Sequence, residues 1–322
     1  MRIIFMGTPD FAVPSLKILL ENGYNVVAVV TATDKMGGRG GKQVIESAIK
    51  KFAVSHSLPV LQPTNLKSPS FLEELASFKP DLQIVVAFRM LPEAVWDMPR
   101  LGTFNLHGSL LPKYRGAAPI NWAIINGEEE TGVTTFFIRH QIDTGDVLLQ
   151  QKMTIDENET AGEIHDRMMV VGANLVLKTV KAIDSGDYVL QKQDESLVCK
   201  APKIFHETCE IDFAQTSKKV HDFIRGLSPY PGAWMSVKGY AVLQDGTAWE
   251  QASWAKIEDE QLKIFRTEKI TQHHDLAPGQ IETDGKKRMF IACNNGYVEV
   301  LELQLRGRKR MKTVDFLNGM KA

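Results

Sequence analysis

Arg2-Ile3-Ile4-Phe5-Met6-Gly7-Thr8-Pro9-Asp10-Phe11-Ala12 opens the chain with an apolar run stopped by a turn. A short apolar run closed by Gly and Pro predicts a buried strand entering a tight turn. Residues 11–22 then carry apolar side chains at helical spacing, and Gly23 supplies a stop. Residues 25–31 are a second, valine-rich strand. Strand, helix and strand at this spacing predict a right-handed crossover and a parallel sheet. Gly7-Thr8-Pro9-Asp10 lacks the G-x-G-x-x-G spacing, and Pro9 removes an amide that a pyrophosphate would use. A plain strand-to-helix turn is the simpler reading, and a nicotinamide-linked oxidoreductase is disfavoured.

Outward from this opening the alternation continues. Residues 34–42 hold four glycines and three basic residues and read as a mobile basic loop. Such a loop suits a polyanionic substrate, or is simply solvated. Residues 44–57 read as a helix, 59–62 as a strand, 70–78 as a helix, and 81–88 and 102–106 as strands. After about residue 130 the pattern changes. Residues 131–139 and 146–153 read as an antiparallel hairpin, and 161–186 as a long amphipathic helix. Residues 188–210 lack clear periodicity and contain Ala201-Pro202-Lys203, which suits a linker. A helix at 217–225 precedes short strands broken by Gly, Asn and Asp, a composition that suits a small β-barrel or sandwich.

The chain has 322 residues, enough for about two domains. Its apolar and charged fractions are those of a globular protein and argue against disorder. Its net charge of −1 gives no overall attraction to nucleic acid. Any surface for a polyanion must be local. Cys199, Cys209 and Cys293 are an odd set without metal-ligand spacing. They point to a reducing, cytosolic setting with no disulfide framework and no metal. No apolar run approaches about 18 residues, so no membrane span is expected, and the opening has no signal-peptide layout.

The chemistry concentrates in Phe104-Asn105-Leu106-His107-Gly108-Ser109-Leu110-Leu111-Pro112-Lys113-Tyr114-Arg115-Gly116. Side chains alternate along a strand, so Asn105 and His107 share a face and Leu106 takes the other. The pair sits at the carboxyl end of an apparently parallel strand, where open α/β sheets place their sites. Asp143, in the turn-like Gln141-Ile142-Asp143-Thr144-Gly145-Asp146, is available to orient the imidazole. An amide, an imidazole and a carboxylate without a Ser or Cys nucleophile suit direct acyl transfer to an external amine. The alternatives are a structural hydrogen-bonded pair for Asn105 and His107, and ordinary turn chemistry for Asp143. Two basic runs, Lys286-Lys287-Arg288 and Arg306-Gly307-Arg308-Lys309-Arg310-Met311-Lys312, suit a phosphate backbone or a solvated face. The C-terminal run has no stacking aromatic nearby, so base-specific readout is not indicated.

The opening Arg2 to Ala12, the tract from Asn105 to Pro112 with Tyr114-Arg115-Gly116, and Asp143-Thr144-Gly145 together resemble the folate-dependent formyltransferases. Ala201-Pro202-Lys203 and Ser228-Pro229-Tyr230-Pro231 narrow the resemblance to the methionyl-tRNA formyltransferase family. The resemblance implies a Rossmann-like open sheet in a catalytic domain at 1–188, a linker at 189–205, and a small OB-like β-barrel domain at 206–322 that contacts tRNA. It implies Asn105, His107 and Asp143 as the catalytic set. It implies a folate site from Ser109, Leu110, Leu111 and Pro112 with Phe88, Arg89, Met90 and Leu91. One departure is visible: Phe88-Arg89 stands where many members have Tyr-Gly. It also implies tRNA contacts from Arg39, Lys42, Arg308, Lys309 and Arg310. The expected reaction moves a formyl group from 10-formyltetrahydrofolate to initiator methionyl-tRNA, in a cytoplasmic monomer using no metal. One rival is a formyltransferase for a small amine, which has no use for a basic second domain. The other is a nucleic-acid-binding module on a catalytically idle Rossmann scaffold, which leaves Asn105, His107 and Asp143 without purpose.

Overall fold

A computed structural model describes residues 1–37, 40–41, 43–237, 241–243, 247–249, 257 and 259–320. The chain divides into two compact units. The first is Met1–Pro119 with Glu130–Thr154 and His165–Pro202; the second is Ile120–Glu129 with Ile155–Ile164 and Lys203–Ala322. Among the described residues, no helix is long and apolar enough to cross a membrane.

In chain order the elements up to residue 201 are β1 (Arg2–Gly7), α1 (Val13–Glu21), β2 (Asn25–Val30), β3 (Lys35–Gly37), β4 (Gln43–Ile45), α2 (Ala48–Ser55), β5 (Val60–Leu61), α3 (Pro69–Ser77), β6 (Leu82–Val86), α4 (Glu93–Trp96), β7 (Thr103–His107), β8 (Arg115–Gly116), α5 (Pro119–Ile125), β9 (Glu130–Phe137), β10 (Val147–Thr154), α6 (Ala161–Ser185) and β11 (Lys200–Ala201). The main sheet runs β10-β9-β7-β6-β1-β2-β5. Its strands from β5 to β7 are parallel, and β9 and β10 join antiparallel. Strand order reverses beside β1, as in a Rossmann-like sheet, and the crevice beyond the carboxyl ends of β1, β6 and β7 is the expected site. Strands buried on both faces read as unbroken apolar runs. Ile4, Met6, Val30 and Val85 pack with Phe71, Leu75 and Val95 on one face. Gly7 closes this edge: a Cβ there would lie 2.7 Å from Ala12 Cβ and 3.1 Å from the Val86 oxygen. Close packing, not phosphate binding, explains that glycine.

The structure corrects two expectations. Lys35–Gly37 and Gln43–Ile45 are paired antiparallel strands, with Met36 opposite Val44, where a loop and the start of a helix were expected; Gly38, Arg39 and Lys42 lie outside the described residues. The following helix begins at Ala48, not at residue 44, because Ser47 Oγ accepts the Lys50 N–H at 3.1 Å and caps it.

The second unit contains α7 (Ser217–Gly226), β12 (Ala233–Ser236), β13 (Val242–Leu243), β14 (Gln261–Thr271), β15 (Ile281–Thr283), β16 (Met289–Cys293), β17 (Gly296–Leu305), β18 (Met311–Lys312) and α8 (Thr313–Met320). Its sheet runs β12-β14-β17-β16-β15-β13, with β18 added on β17. The long pair β14 and β17 slips register around Arg266, and such irregularities bend a sheet. Val220 and Ile224 of α7, with Phe316 and Leu317 of α8, join Leu262, Ile264, Val298 and Val300 in one core. This is the small sheet domain that the composition predicted, in the place where the resemblance implied an OB-like one.

Candidate active site

Asn105 pairs with Val85 and Phe136 across β7's two neighbours, and His107 with Thr134. Leu106 points to the opposite face, where a Cβ on Gly172 of α6 would come within 2.8 Å of its Cδ2. Asn105 and His107 therefore share one face, as alternation requires. The Asn105 side chain is half-buried and makes no hydrogen bond to another described residue. A half-buried amide with unused donors and acceptor is costly unless a ligand completes it.

His107 is held from three sides. Its Nε2–H donates to the Tyr114 carbonyl at 2.9 Å, which sets the tautomer because a carbonyl only accepts. Phe136 presents its ring edge-on at 6.5 Å between centres. Nδ1 then faces Asp143 Oδ2 at 3.7 Å, beyond direct hydrogen-bond distance. Such contacts tighten when substrate enters. Asp143 Oδ2 meanwhile accepts the Gly116 N–H at 2.9 Å. The structure brings all three candidate catalytic residues to one face of one strand end.

Glycines make this approach possible. Asp143 has φ +56°, in the left-handed region. Two residues on, a Cβ at Gly145 would fall 1.6 Å from the Phe137 oxygen, so only glycine lets the turn lie against the end of β9. Gly116 has φ +130°, and a Cβ there would lie 2.4 Å from the Ala201 oxygen.

The candidate folate segments divide. Ser109 is buried, and its Oγ donates to the Lys113 carbonyl at 2.6 Å, while Leu111 packs with Phe136 and Val147. Leu110 and Pro112 are half-buried, and Leu110 lies against Gly132. Thr134 Oγ1 donates to the Ser109 carbonyl at 2.7 Å and accepts the Leu111 N–H at 3.1 Å; Gln150 Nε2 donates to the Leu111 carbonyl at 2.8 Å. After β6, Leu91 is buried and Met90 is exposed. Phe88 is half-buried against the sheet core, and its neighbour Arg89 donates to the carbonyls of Pro63 and Thr64. Arg89 is thus tied to a neighbouring loop.

Sequence reading did not single out Thr134, Gln150 or Gln193, and it held Tyr114 and Gly116 only as parts of a matching tract. Their roles rest on main-chain partners 7 to 50 residues away, for which local pattern carries no signal.

In the second unit, Arg310 Nε donates to Glu302 at 2.8 Å, and its guanidinium lies 4.5 Å from the Phe265 ring centre. Arg288 forms a two-point pair with Glu299 at 2.7 and 2.6 Å over Phe290. Aromatic rings therefore neighbour both basic runs: Phe290 follows Arg288 two residues on in sequence, whereas Phe265 reaches Arg310 from a strand distant in sequence. Arg308 and Lys309 are exposed and carry no ion pair among the described residues. Arg39 and Lys42 lie outside the described residues.

Two family models match: formyl transferase over residues 1–180, and the formyl transferase C-terminal domain over residues 203–321. The chain is 52% identical to a methionyl-tRNA formyltransferase of Bacteroides fragilis over 326 residues, covering 99% of this chain and 95% of that one. It is 48% identical to the enzyme of that name from Flavobacterium johnsoniae, covering 99% and 96%. Among solved structures, an N-formyltransferase from Helicobacter canadensis, in complex with folinic acid and dTDP-3-aminofucose, superposes with a TM-score of 0.67 at 20% identity, over 96% of this chain and 99% of that one. HypX from Aquifex aeolicus, in complex with tetrahydrofolic acid, matches with a TM-score of 0.62 at 19% identity, over 99% and 47%. At such identities these two structures speak for the fold.

Proposed function

The chain belongs to the methionyl-tRNA formyltransferase family of formyl transferases, and from that premise we propose that Asn105, His107 and Asp143 carry formyl transfer from 10-formyltetrahydrofolate to initiator methionyl-tRNA. The observation that carries the catalytic reading is the unpartnered Asn105 amide beside an imidazole whose Nδ1 faces Asp143 at 3.7 Å. The acceptor rests on near full-length identity of about half the residues to enzymes named for methionyl-tRNA.

In this reading the folate supplies the formyl group and the α-amine of methionyl-tRNA attacks its carbon. The Asn105 amide donates to the formyl oxygen as negative charge develops there, and His107, acting as an imidazolium beside Asp143, adds positive charge near it. Asp143 orients His107 and takes up the proton that the attacking amine sheds, passing it toward the departing folate nitrogen. No protein nucleophile is needed. Leu110, Pro112 and Met90 border the folate. Ser109, Leu111, Phe88, Arg89 and Leu91 support that border from behind, since their side chains are engaged within the protein.

Residues 1–188 would carry the chemistry, 189–205 the connection, and 206–322 the tRNA contact through Arg308 and Lys309. Arg310, already paired, would act there only by exchanging Glu302 for phosphate. Arg39 and Lys42 would meet the acceptor end. A cytoplasmic monomer working without a metal completes the proposal; three unpaired thiols suit a reducing compartment. The test is formyl transfer from 10-formyltetrahydrofolate to charged initiator tRNA, against amino-sugar nucleotides and glycinamide ribonucleotide as acceptors. Transfer to tRNA alone is expected. Transfer to a small amine in its place would overturn the acceptor.

A further inference from the structure

We propose that Gln193 is a positioning residue of this site, holding the Asp143 turn and residues 114–116 in one frame. The proposal rests on the reading of Asp143 as the proton-handling carboxylate. Gln193 lies between the two family-matched segments, which end at residue 180 and resume at 203. Residues 184–197 are exposed with one exception, and that exception is Gln193. A lone inward side chain in an exposed strap is not there to bury apolar surface.

All its polar capacity is spent on the site's frame. Gln193 Nε2 donates to the carbonyls of Asp143 and Gly145, both at 2.8 Å. Its Oε1 accepts from Arg115 Nε at 3.0 Å and from Nη2 at 2.8 Å. An amide offers two donor hydrogens and two acceptor lone pairs, and here each has a partner. One end therefore grips both sides of the residue that follows Asp143. The other end grips Arg115, between Tyr114, whose carbonyl holds His107 Nε2, and Gly116, whose N–H holds Asp143 Oδ2.

The second hold on Arg115 is weaker. Glu195 pairs with it at 2.8 and 3.0 Å, but its side chain is 71% exposed, and exposed pairs contribute little. Asp143 needs an external hold because its backbone occupies the left-handed region. Its carboxylate must also close from 3.7 Å onto the imidazole that it orients. Misplacing a reacting group by about 1 Å costs about 10²-fold in rate.

Two variants separate the ends of the amide. Gln193→Met has similar length and loses both holds. Gln193→Glu keeps an acceptor for Arg115 but turns an oxygen toward two carbonyls. Both are expected to lower kcat by about 10- to 10²-fold, with KM for methionyl-tRNA and formyl-folate within about twofold. Each is compared with its own thermal midpoint, so that a folding defect is read separately from the kinetic loss. The deciding measurement is the double variant with Asp143→Ala. If Gln193 acts through Asp143, adding Gln193→Met to Asp143→Ala brings no further loss. Additive losses, a change confined to KM, or undiminished kcat in Gln193→Met would overturn the positioning role. Wild-type turnover in Asp143→Ala alone would instead overturn the catalytic reading of Asp143, and the route assigned to Gln193 with it.

Discussion

At the scale of single residues, Asn105 and His107 are held very differently. His107 has a carbonyl on one nitrogen and a carboxylate facing the other, whereas Asn105 has an unused amide. Asn105→Ala should therefore disturb the resting protein little and the transition state much. A fall of about 10²- to 10³-fold in kcat is expected, with an unchanged unfolding midpoint. His107→Ala is expected to lose as much turnover and also some stability, since it leaves the Tyr114 carbonyl unmet in a buried place. Steady-state kinetics beside thermal unfolding would check both; near-normal turnover in either variant would sink its assignment. The pairing of Asn105 with His107 was legible in the sequence, because strand alternation is local. That Asp143 joins them was legible only as a possibility. Its arrival depends on Gly145 meeting Phe137 and on a main-chain amide at Gly116, and neither leaves a pattern near Asp143.

At the scale of elements, the Asp143 turn is fixed by a glycine without room for a methyl. Gly145→Ala should cost about 1–3 kcal/mol of stability as the turn yields. Asp143 moves with the turn, so kcat should fall by about 10²-fold as well. Urea unfolding and kinetics on one preparation would show it; unaltered turnover would mean that the turn shifts without carrying Asp143.

Helix α7 carries a second testable feature. His221 is buried, with Nδ1 2.9 Å from Thr267 Oγ1 and Nε2 donating to the Glu157 carbonyl at 3.2 Å. Burial, the largest cause, keeps its imidazole below the usual histidine range; Arg225 and Lys269 act in the same direction, and the Glu157 carbonyl and Asp222 oppose. In the unfolded chain it titrates near its ordinary value of about 6.5. Below that pH the unfolded state binds more protons, so stability is full above it and falls as pH drops toward the lower folded value. His221→Gln is expected to flatten that part of the profile, measured as unfolding midpoints at fixed ionic strength. An unchanged slope would refute the linkage. Most elements were legible from periodicity. The paired strands Lys35–Gly37 and Gln43–Ile45 were not, because four glycines over 34–42 read as a loop, and the exposed Val44 and Ile45 extended the helical stripe that follows.

For the whole molecule, charge is the deciding quantity. With a net charge of −1, attraction to a polyanion must come from cations left unneutralised locally. Arg288 and Arg310 spend their charge on Glu299 and Glu302, and Arg308 and Lys309 do not. Neutralising Arg308 and Lys309 should weaken tRNA binding and lower the slope of log affinity against log salt by about one per lost phosphate contact. Arg310→Gln should change that slope less, since its charge is already met. Equal slopes for the two variants would return the pair to a solvated surface.

The sequence by itself determined the parallel sheet, the second β domain, the shared face of Asn105 and His107, and the chemistry those side chains suit. All of these follow from local periodicity and residue type, which neighbouring positions encode directly. The tertiary structure alone decided which cations remain unpaired, which nitrogen of His107 faces Asp143, and that Gln193 and Gln150 frame the site. Those depend on main-chain carbonyls and amides brought together from distant positions, and every residue but proline carries the same pair of groups.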